Sequence, residues 1–270
     1  MTTAQHTAPA SRLGQTFAAS RAEDRSALIG YFPVGYPDVE TSIETVQTMV
    51  SAGCDIVELG IPYSDPVMDG PTIAKAAVHA LENGSRVRDV FAAAEAVASA
   101  GAAPVVMSYW NLILKYGVDA FARDLASAGG VGVITPNLIP EEGAQWHDAS
   151  DAHDLDRIYL VAPSSSPERI AMTVDACRGF VYATSTMGVT GARATVSNAA
   201  PELCSRVREY SDIPIGVGLG VRSGDQAAEI GAYADGVIVG SAIVSAVDDG
   251  QAAVASLVGE LAQGVRRSRG

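Results

Sequence analysis

Histidine, cysteine and positive charge are all scarce in this 270-residue chain, and each scarcity argues against a class of function. Cys54, Cys177 and Cys204 are odd in number, far apart and without a CxxC pair, so neither a disulfide framework nor a zinc cluster is implied. His6, His79, His147 and His153 show no metal-binding spacing, and the last two are six residues apart, on different faces of any helix. Lys and Arg total 18 against 31 Asp and Glu, a formal net charge of −13 that speaks against nucleic-acid binding. The short RRSR cluster near the C-terminus reads as a solvated tail. No apolar run is long enough to cross a membrane, and Met1–Gln15 lacks a basic region followed by an apolar one. No GxGxxG opens a helix after the first strand and no Walker loop is present, so dinucleotide or ATP binding is not indicated. The expectation is a reduced, cytoplasmic, globular protein.

What is present is alternation. Eight short runs rich in Val and Ile read as strands: Ala27–Phe32, Asp55–Leu59, Pro104–Met107, Val131–Thr135, Arg157–Val161, Phe180–Ala183, Pro214–Val217 and Asp235–Val239. Ala-rich segments with helical spacing lie between them, among them Val39–Ala52, Val87–Ala100, Val118–Ala128 and Glu141–Ala152, and a closing helix spans about Ala252–Gln263. Strands that are nearly all apolar are covered on both faces, as in parallel sheets, and eight strand–helix units fit a closed barrel better than an open sheet. The predicted fold class is α/β: a single (β/α)8 TIM barrel over residues 1–270, with 1–10 and 265–270 as flexible tails. Ser11–Arg25 reads as an extra N-terminal helix able to plug the bottom of the barrel, and Thr72–Glu82 as a helix inserted after the second strand.

Two carboxylates do not fit a plain core. In CDIVELGIPYSDPVMDGPT, Ile56, Glu58 and Gly60 share one face of the second strand, and Glu58 falls inside the protein near the strand's C-terminal end. A buried carboxylate is costly unless paired or protonated, and catalytic groups of this fold sit at strand ends. Asp69 follows eleven residues later, after a loop stiffened by Pro62 and Pro66 and just before Gly70. It fits an N-terminal helix cap as well as a catalyst, and Asp65 fits a turn residue.

Glycine-rich elements follow three late strands: TSTMGVTGAR the sixth, GVGLGVRS the seventh and VGSAIV the eighth. Loops after strands seven and eight, closed by the N-terminus of a short helix, form a recurrent phosphate site in TIM barrels. Gly191, Gly220, Gly240 and Ser241 supply the candidate N–H donors, and Thr184–Thr195 is a candidate lid.

Over roughly Ser26–Val247 the chain resembles tryptophan synthase alpha chains. ELGIPYSDPVMDGPTI is the specific signature, supported by PVVMSYWNLILKYGVDAF, STMGVTGAR, GVGLGVRS and DGVIVGSAIV. The resemblance implies a lyase of tryptophan biosynthesis that splits indole-3-glycerol phosphate into indole and D-glyceraldehyde 3-phosphate. It implies Glu58 as the acid/base and Asp69 as the carboxylate engaging the indole nitrogen. Tyr31, Met107, Tyr109, Ile134, Leu160, Tyr182 and Leu219 match the substrate pocket, and Gly191, Gly220, Gly240 and Ser241 the phosphate site. Thr190 matches the lid threonine that hydrogen-bonds the aspartate. No cofactor is implied on this chain; pyridoxal phosphate belongs to the beta subunit with which an alpha2-beta2 heterotetramer is expected. Tyr36, Asn137 and Thr186 depart from the family's usual residues without removing a catalytic group.

The residues suit that chemistry independently. One carboxyl of raised pKa can protonate the leaving ring carbon and then accept the hydroxyl proton of the side chain. A second carboxylate can stabilise the positive charge on the ring nitrogen. A stand-alone indole-glycerol-phosphate lyase, a non-catalytic phosphate-binding regulatory subunit and a sugar-phosphate isomerase are the competing readings. Intact Glu58 and Asp69 speak against the second, and the lack of a strand-end Lys or His against the third.

Overall fold

Each strand runs parallel to its neighbours, and the order of pairing brings the last segment back beside the first. The computed structural model describes residues 11–184, 199–218 and 220–269. The strands are β1 (Ala27–Pro33), β2 (Ile56–Gly60), β3 (Ala103–Met107), β4 (Gly132–Ile134), β5 (Asp156–Ile158), β6 (Leu160–Val161), β7 (Val181–Thr184), β8 (Ile215–Gly218) and β9 (Gly236–Val239). They pair in the order β5-β4-β3-β2-β1-β9-β8-β7-β6. Only Tyr159 separates β5 from β6, so the two ends of that order are halves of one strand and the sheet is an eight-stranded TIM barrel.

Side-chain parity sorts the core into two layers. Ala27, Ile29, Ile56, Val105, Ile134, Ile158, Phe180 and Ile238 form one cluster inside the barrel. Leu28, Phe32, Val57, Leu59, Val106, Val217 and Val237 belong to a second, between the barrel and its helices. This is the period of two expected of strands covered on both faces. Helix α1 (Arg12–Ala22) enters the inner cluster through Leu13 and Phe17, with the Phe17 and Phe180 rings 5.5 Å apart. Burial of two such side chains contributes on the order of 3–6 kcal/mol.

The outer helices begin where the sequence offers caps. Asp38 accepts from the Thr41 amide to start α2 (Val39–Ala52), and Gly53, at φ +121°, ends it. Ser223 does the same for α10 (Gly224–Gly231) through the Gln226 amide. After β2 comes α3 (Pro71–Glu82), and after it α4 (Asp89–Ser99); α8 (Pro167–Ala176) follows β6 and α9 (Ala199–Arg208) follows β7.

Three local expectations are corrected. A short helix, α5 (Trp110–Tyr116), lies between β3 and α6 (Val118–Ser127), where none was expected. The segment Glu141–Ala152 is not one helix: a 3-10 turn over Pro140–Glu142 ends at Gly143, and α7 spans Ala144–Ala152. The C-terminal residues 265–269 are not a loose tail. Helix α12 (Gln251–Arg266) buries Val265, and Arg269 reaches the Ala234 carbonyl and the Asp235 carboxylate, each at 3.2 Å. The basic cluster finds an acidic partner far away in sequence, so charge alone was a poor guide.

Candidate active site

The inward faces of β1, β2, β3, β4, β6 and β7 bring Tyr31, Glu58, Met107, Ile134, Leu160 and Tyr182 together toward one end of the barrel. Glu58 is paired in register with Tyr31 on one side and Val105 on the other. It is 1% exposed, and its Oε1 has no hydrogen-bond partner among the described residues. Burial alone pushes its carboxyl up to about 8. Such a group holds its proton at neutral pH and releases it when a base or a substrate demands it, which is the property an acid/base catalyst needs.

Two phenols flank it. Burial raises both Tyr31 and Tyr182 well above the ordinary tyrosine range; the charges of Asp69 and then Glu58 add to the rise at Tyr31, and that of Glu58 at Tyr182. Each phenol lies over a glycine of a neighbouring strand. A Cβ on Gly60 would meet Tyr31 Oη at 2.3 Å, and one on Gly218 would meet Tyr182 Oη at 2.6 Å. Any side chain at those inward positions would displace the tyrosines. The corresponding signal in the sequence is a glycine of inward parity at the C-terminal end of β2 and another at that of β8.

Asp69 lies at the end of the loop after β2, partly buried, and burial raises its carboxyl. The helix-cap alternative fails: the N-cap of α3 is Gly70, with Pro71 at the first helical position, so Asp69 stands one residue outside. Tyr109 is buried at the start of α5. Its hydroxyl oxygen accepts hydrogen bonds from the amides of Val67 and Met68, both at 3.1 Å. Asp65 behaves as a local loop residue and accepts from Ser64 Oγ at 2.6 Å.

Gly220, at φ +67°, follows β8 in a left-handed conformation that suits glycine. Gly240 follows the adjacent β9 and is the N-cap of α11 (Ser241–Ala246) without a side-chain cap bond. The first-turn amides of α11 have no carbonyl of their own helix to bond and can serve an anion. A Cβ on Gly240 would lie 3.2 Å from Tyr31 Cδ1, which places this helix start beside the phenol next to Glu58. Thr186, Thr190, Gly191 and Leu219, and with them most of the candidate lid, lie outside the described residues. The other two departures have partners. Tyr36 donates to Asp248 Oδ1 at 2.8 Å, and Asn137 Oδ1 accepts from the Trp110 amide at 2.9 Å.

Comparison with known proteins gives a consistent result. The family profile described as tryptophan synthase alpha chain matches residues 17–267. A tryptophan synthase alpha chain of Mycobacteroides abscessus is 68% identical, covering 95% of this chain and 98% of its own length. One of Mycobacterium avium is 67% identical over 96% of each. Among solved structures, tryptophan synthase of Mycobacterium tuberculosis superposes with a TM-score of 0.93 at 64% identity, over 96% of this chain and 99% of that one.

Proposed function

Because the chain belongs to the tryptophan synthase alpha chain family, we propose that it catalyses the retro-aldol cleavage of indole-3-glycerol phosphate to indole and D-glyceraldehyde 3-phosphate. The observation that carries this reading is Glu58: a carboxyl buried inside the barrel mouth, unpaired at Oε1 and raised to about 8, with a second raised carboxyl at Asp69 acting on the same phenol. Protonated Glu58 donates to the ring carbon that carries the glycerol chain. The ring nitrogen becomes positive, and Asp69 holds its N–H. The Glu58 carboxylate then takes the proton of the adjacent side-chain hydroxyl. As that O–H becomes a carbonyl the carbon–carbon bond breaks, and its electron pair returns to the ring. The aldehyde and indole leave, and Glu58 has its proton back. These two proton transfers need only the two carboxyls.

The inward apolar residues Met107, Ile134 and Leu160 form the indole wall in this reading, together with Tyr31, Tyr182 and Leu219. The phosphate is held by amides at Gly191, Gly220, Gly240 and Ser241, with the Ser241 hydroxyl as a further donor. Ser241→Asp is then expected to raise KM about tenfold or more, because a carboxylate would stand against the phosphate. Steady-state kinetics decide it, and an unchanged KM moves the phosphate elsewhere. No membrane-spanning helix occurs among the described residues, and we place the protein in the cytoplasm.

The partner we assign is a pyridoxal-phosphate-bearing beta subunit. Thr190, on the lid, supports Asp69 in this reading, and ordering a lid rich in Gly, Ser and Thr costs conformational entropy. A partner that binds only the closed arrangement offsets that cost and shifts the population toward it. The experiment is to assay release of indole and glyceraldehyde 3-phosphate by the chain alone and during titration with beta subunit. Slow turnover alone and a rise of about tenfold or more at saturation is the expected result. A flat rate despite complex formation favours a stand-alone lyase, and no product under either condition removes the lyase assignment.

A further inference from the structure

The loop that carries Asp69 is exposed over part of its length. Val67 is 72% exposed, and Ser64 and Asp65 are also exposed. Pro62 and Pro66 limit the backbone's freedom, yet restricted freedom does not choose one position. The first residue, Ile61, is fixed by its amide donating to the Met107 carbonyl at 3.0 Å. Between there and Asp69, the amides of Val67 and Met68 are tied to Tyr109, at the start of the unexpected helix α5.

We propose that Tyr109 is the positioning residue for Asp69, through the two loop amides that converge on its hydroxyl oxygen. The proposal rests on the role given to Asp69 above. A phenol oxygen has two lone pairs. Val67 N–H and Met68 N–H occupy both, at 3.1 Å each. Two successive amides tied to one atom set the orientation of the peptide plane between them, and Asp69 is the next residue along the chain. The oxygen is itself well anchored. Tyr109 is buried and forms the N-cap of α5, directly after β3. The α5 start is tied to the turn after β4, because Asn137 Oδ1 accepts from the Trp110 amide. The Tyr63 ring packs on Tyr109 with centroids 4.9 Å apart, and Asn111 Nδ2 donates to the Tyr63 hydroxyl at 3.1 Å. A set of contacts thus runs from β3 and the turn after β4, through α5, to the Val67–Met68 peptide just before Asp69. Asn137 supplies the acceptor oxygen that this bracket uses.

Tyr109→Phe keeps the ring and its stack on Tyr63 and leaves two amides without their acceptor. Small displacements of a catalytic group are costly to rate. The expected result is a kcat about tenfold lower with KM within about twofold and thermal stability nearly unchanged. The readout that separates positioning from general structure is a double-mutant cycle with Asp69→Asn, followed in single-turnover assays of the full chain with its beta subunit. If Tyr109 acts through Asp69, Tyr109→Phe changes the rate less than about twofold in the Asp69→Asn background. The same tenfold loss in both backgrounds overturns the proposal, as does a raised KM with kcat intact, which would make Tyr109 only a pocket wall. Asp69→Asn with full turnover would instead remove the role of Asp69 itself, and that is read without reference to Tyr109. Should Tyr109→Phe fold poorly, hydrogen exchange in Asn137→Ala tests the same bracket. Faster exchange at the Val67 and Met68 amides, with β2 unaffected, supports it, and unchanged exchange there overturns it.

Discussion

Glu58→Gln is expected to lose at least about a hundredfold in kcat and, at pH 8, to unfold at a higher temperature than the wild type. The two effects share one cause. The carboxyl is buried with no partner at Oε1 among the described residues, and burial pushes it up to about 8 in the fold against 4.5 for an ordinary glutamate. Between those values the folded chain keeps a proton that the unfolded chain has released. The unfolded state binds fewer protons, so wild-type stability falls as pH rises through that window. Glutamine has no proton to lose, and its stability lacks this dependence. The variant and wild type therefore diverge from about pH 5 to pH 8. Every tenfold difference in proton affinity between the folded and unfolded chains is worth about 1.4 kcal/mol, and each kcal/mol moves Tm by roughly 2–4 °C in a chain of this size. Glutamine cannot donate the proton or take it back, so binding survives and turnover does not. In the wild type, kcat/KM should fall as pH rises above about 8, when the free enzyme loses the proton it must give. Melting curves at pH 5 and pH 8, with steady-state kinetics across the range, test both halves. A kcat above about a tenth of wild type, or a Tm difference that does not grow with pH, excludes Glu58 as the acid/base.

The properties that made Glu58 legible in the sequence are local ones. A charged residue at inward parity in a run of apolar ones is visible without a structure, and so is the alternation that gives the barrel. Tyr31, Met107 and Tyr182 were named through the resemblance alone, and their inward positions come from the strand register. Features that needed distant partners were not visible. Helix α5 spans only seven residues, two of them aromatic, with no side-chain cap of its own. The acceptor for the Trp110 amide comes from Asn137, 27 positions away. Read alone, WNLILKY is too short to show a helical period. Tyr109 was recognisable as a pocket residue by resemblance, but its bonds to the Val67 and Met68 amides depend on two loops meeting. The C-terminal segment failed for the same reason. Arg269 is satisfied by Asp235 and the Ala234 carbonyl, and Ser26 and Ser268 meet at 3.3 Å. Strand five shows a smaller effect: the continuous run Arg157–Val161 is interrupted at Tyr159, whose hydroxyl pairs with His147 on α7 at 2.9 Å.

Asp69→Asn is the second substitution with a large expected effect, and here stability and activity separate in a different way. As a helix cap, Asp69 would contribute roughly 1 kcal/mol, and its loss would lower Tm. The cap position belongs to Gly70, and among the described residues the loop is tied through the Val67 and Met68 amides. Asparagine has the same shape, so the loop should keep its course. Burial already raises the Asp69 carboxyl above the usual range, which means the charge is held at some cost in the folded state. Replacing it removes that cost, and Tm should stay level or rise slightly. The reaction meets the opposite fate. The positive charge developed on the ring nitrogen would face a neutral amide at a partly buried position, where a charge is less well solvated than in bulk water. A kcat loss of about a hundredfold or more is expected, with KM within about threefold, because the charge appears only after substrate has bound. Kinetics and thermal melts on the same preparation decide between the roles. A variant that turns over normally but melts several degrees lower would return Asp69 to the architecture of the loop and leave Glu58 without the partner that the retro-aldol step requires.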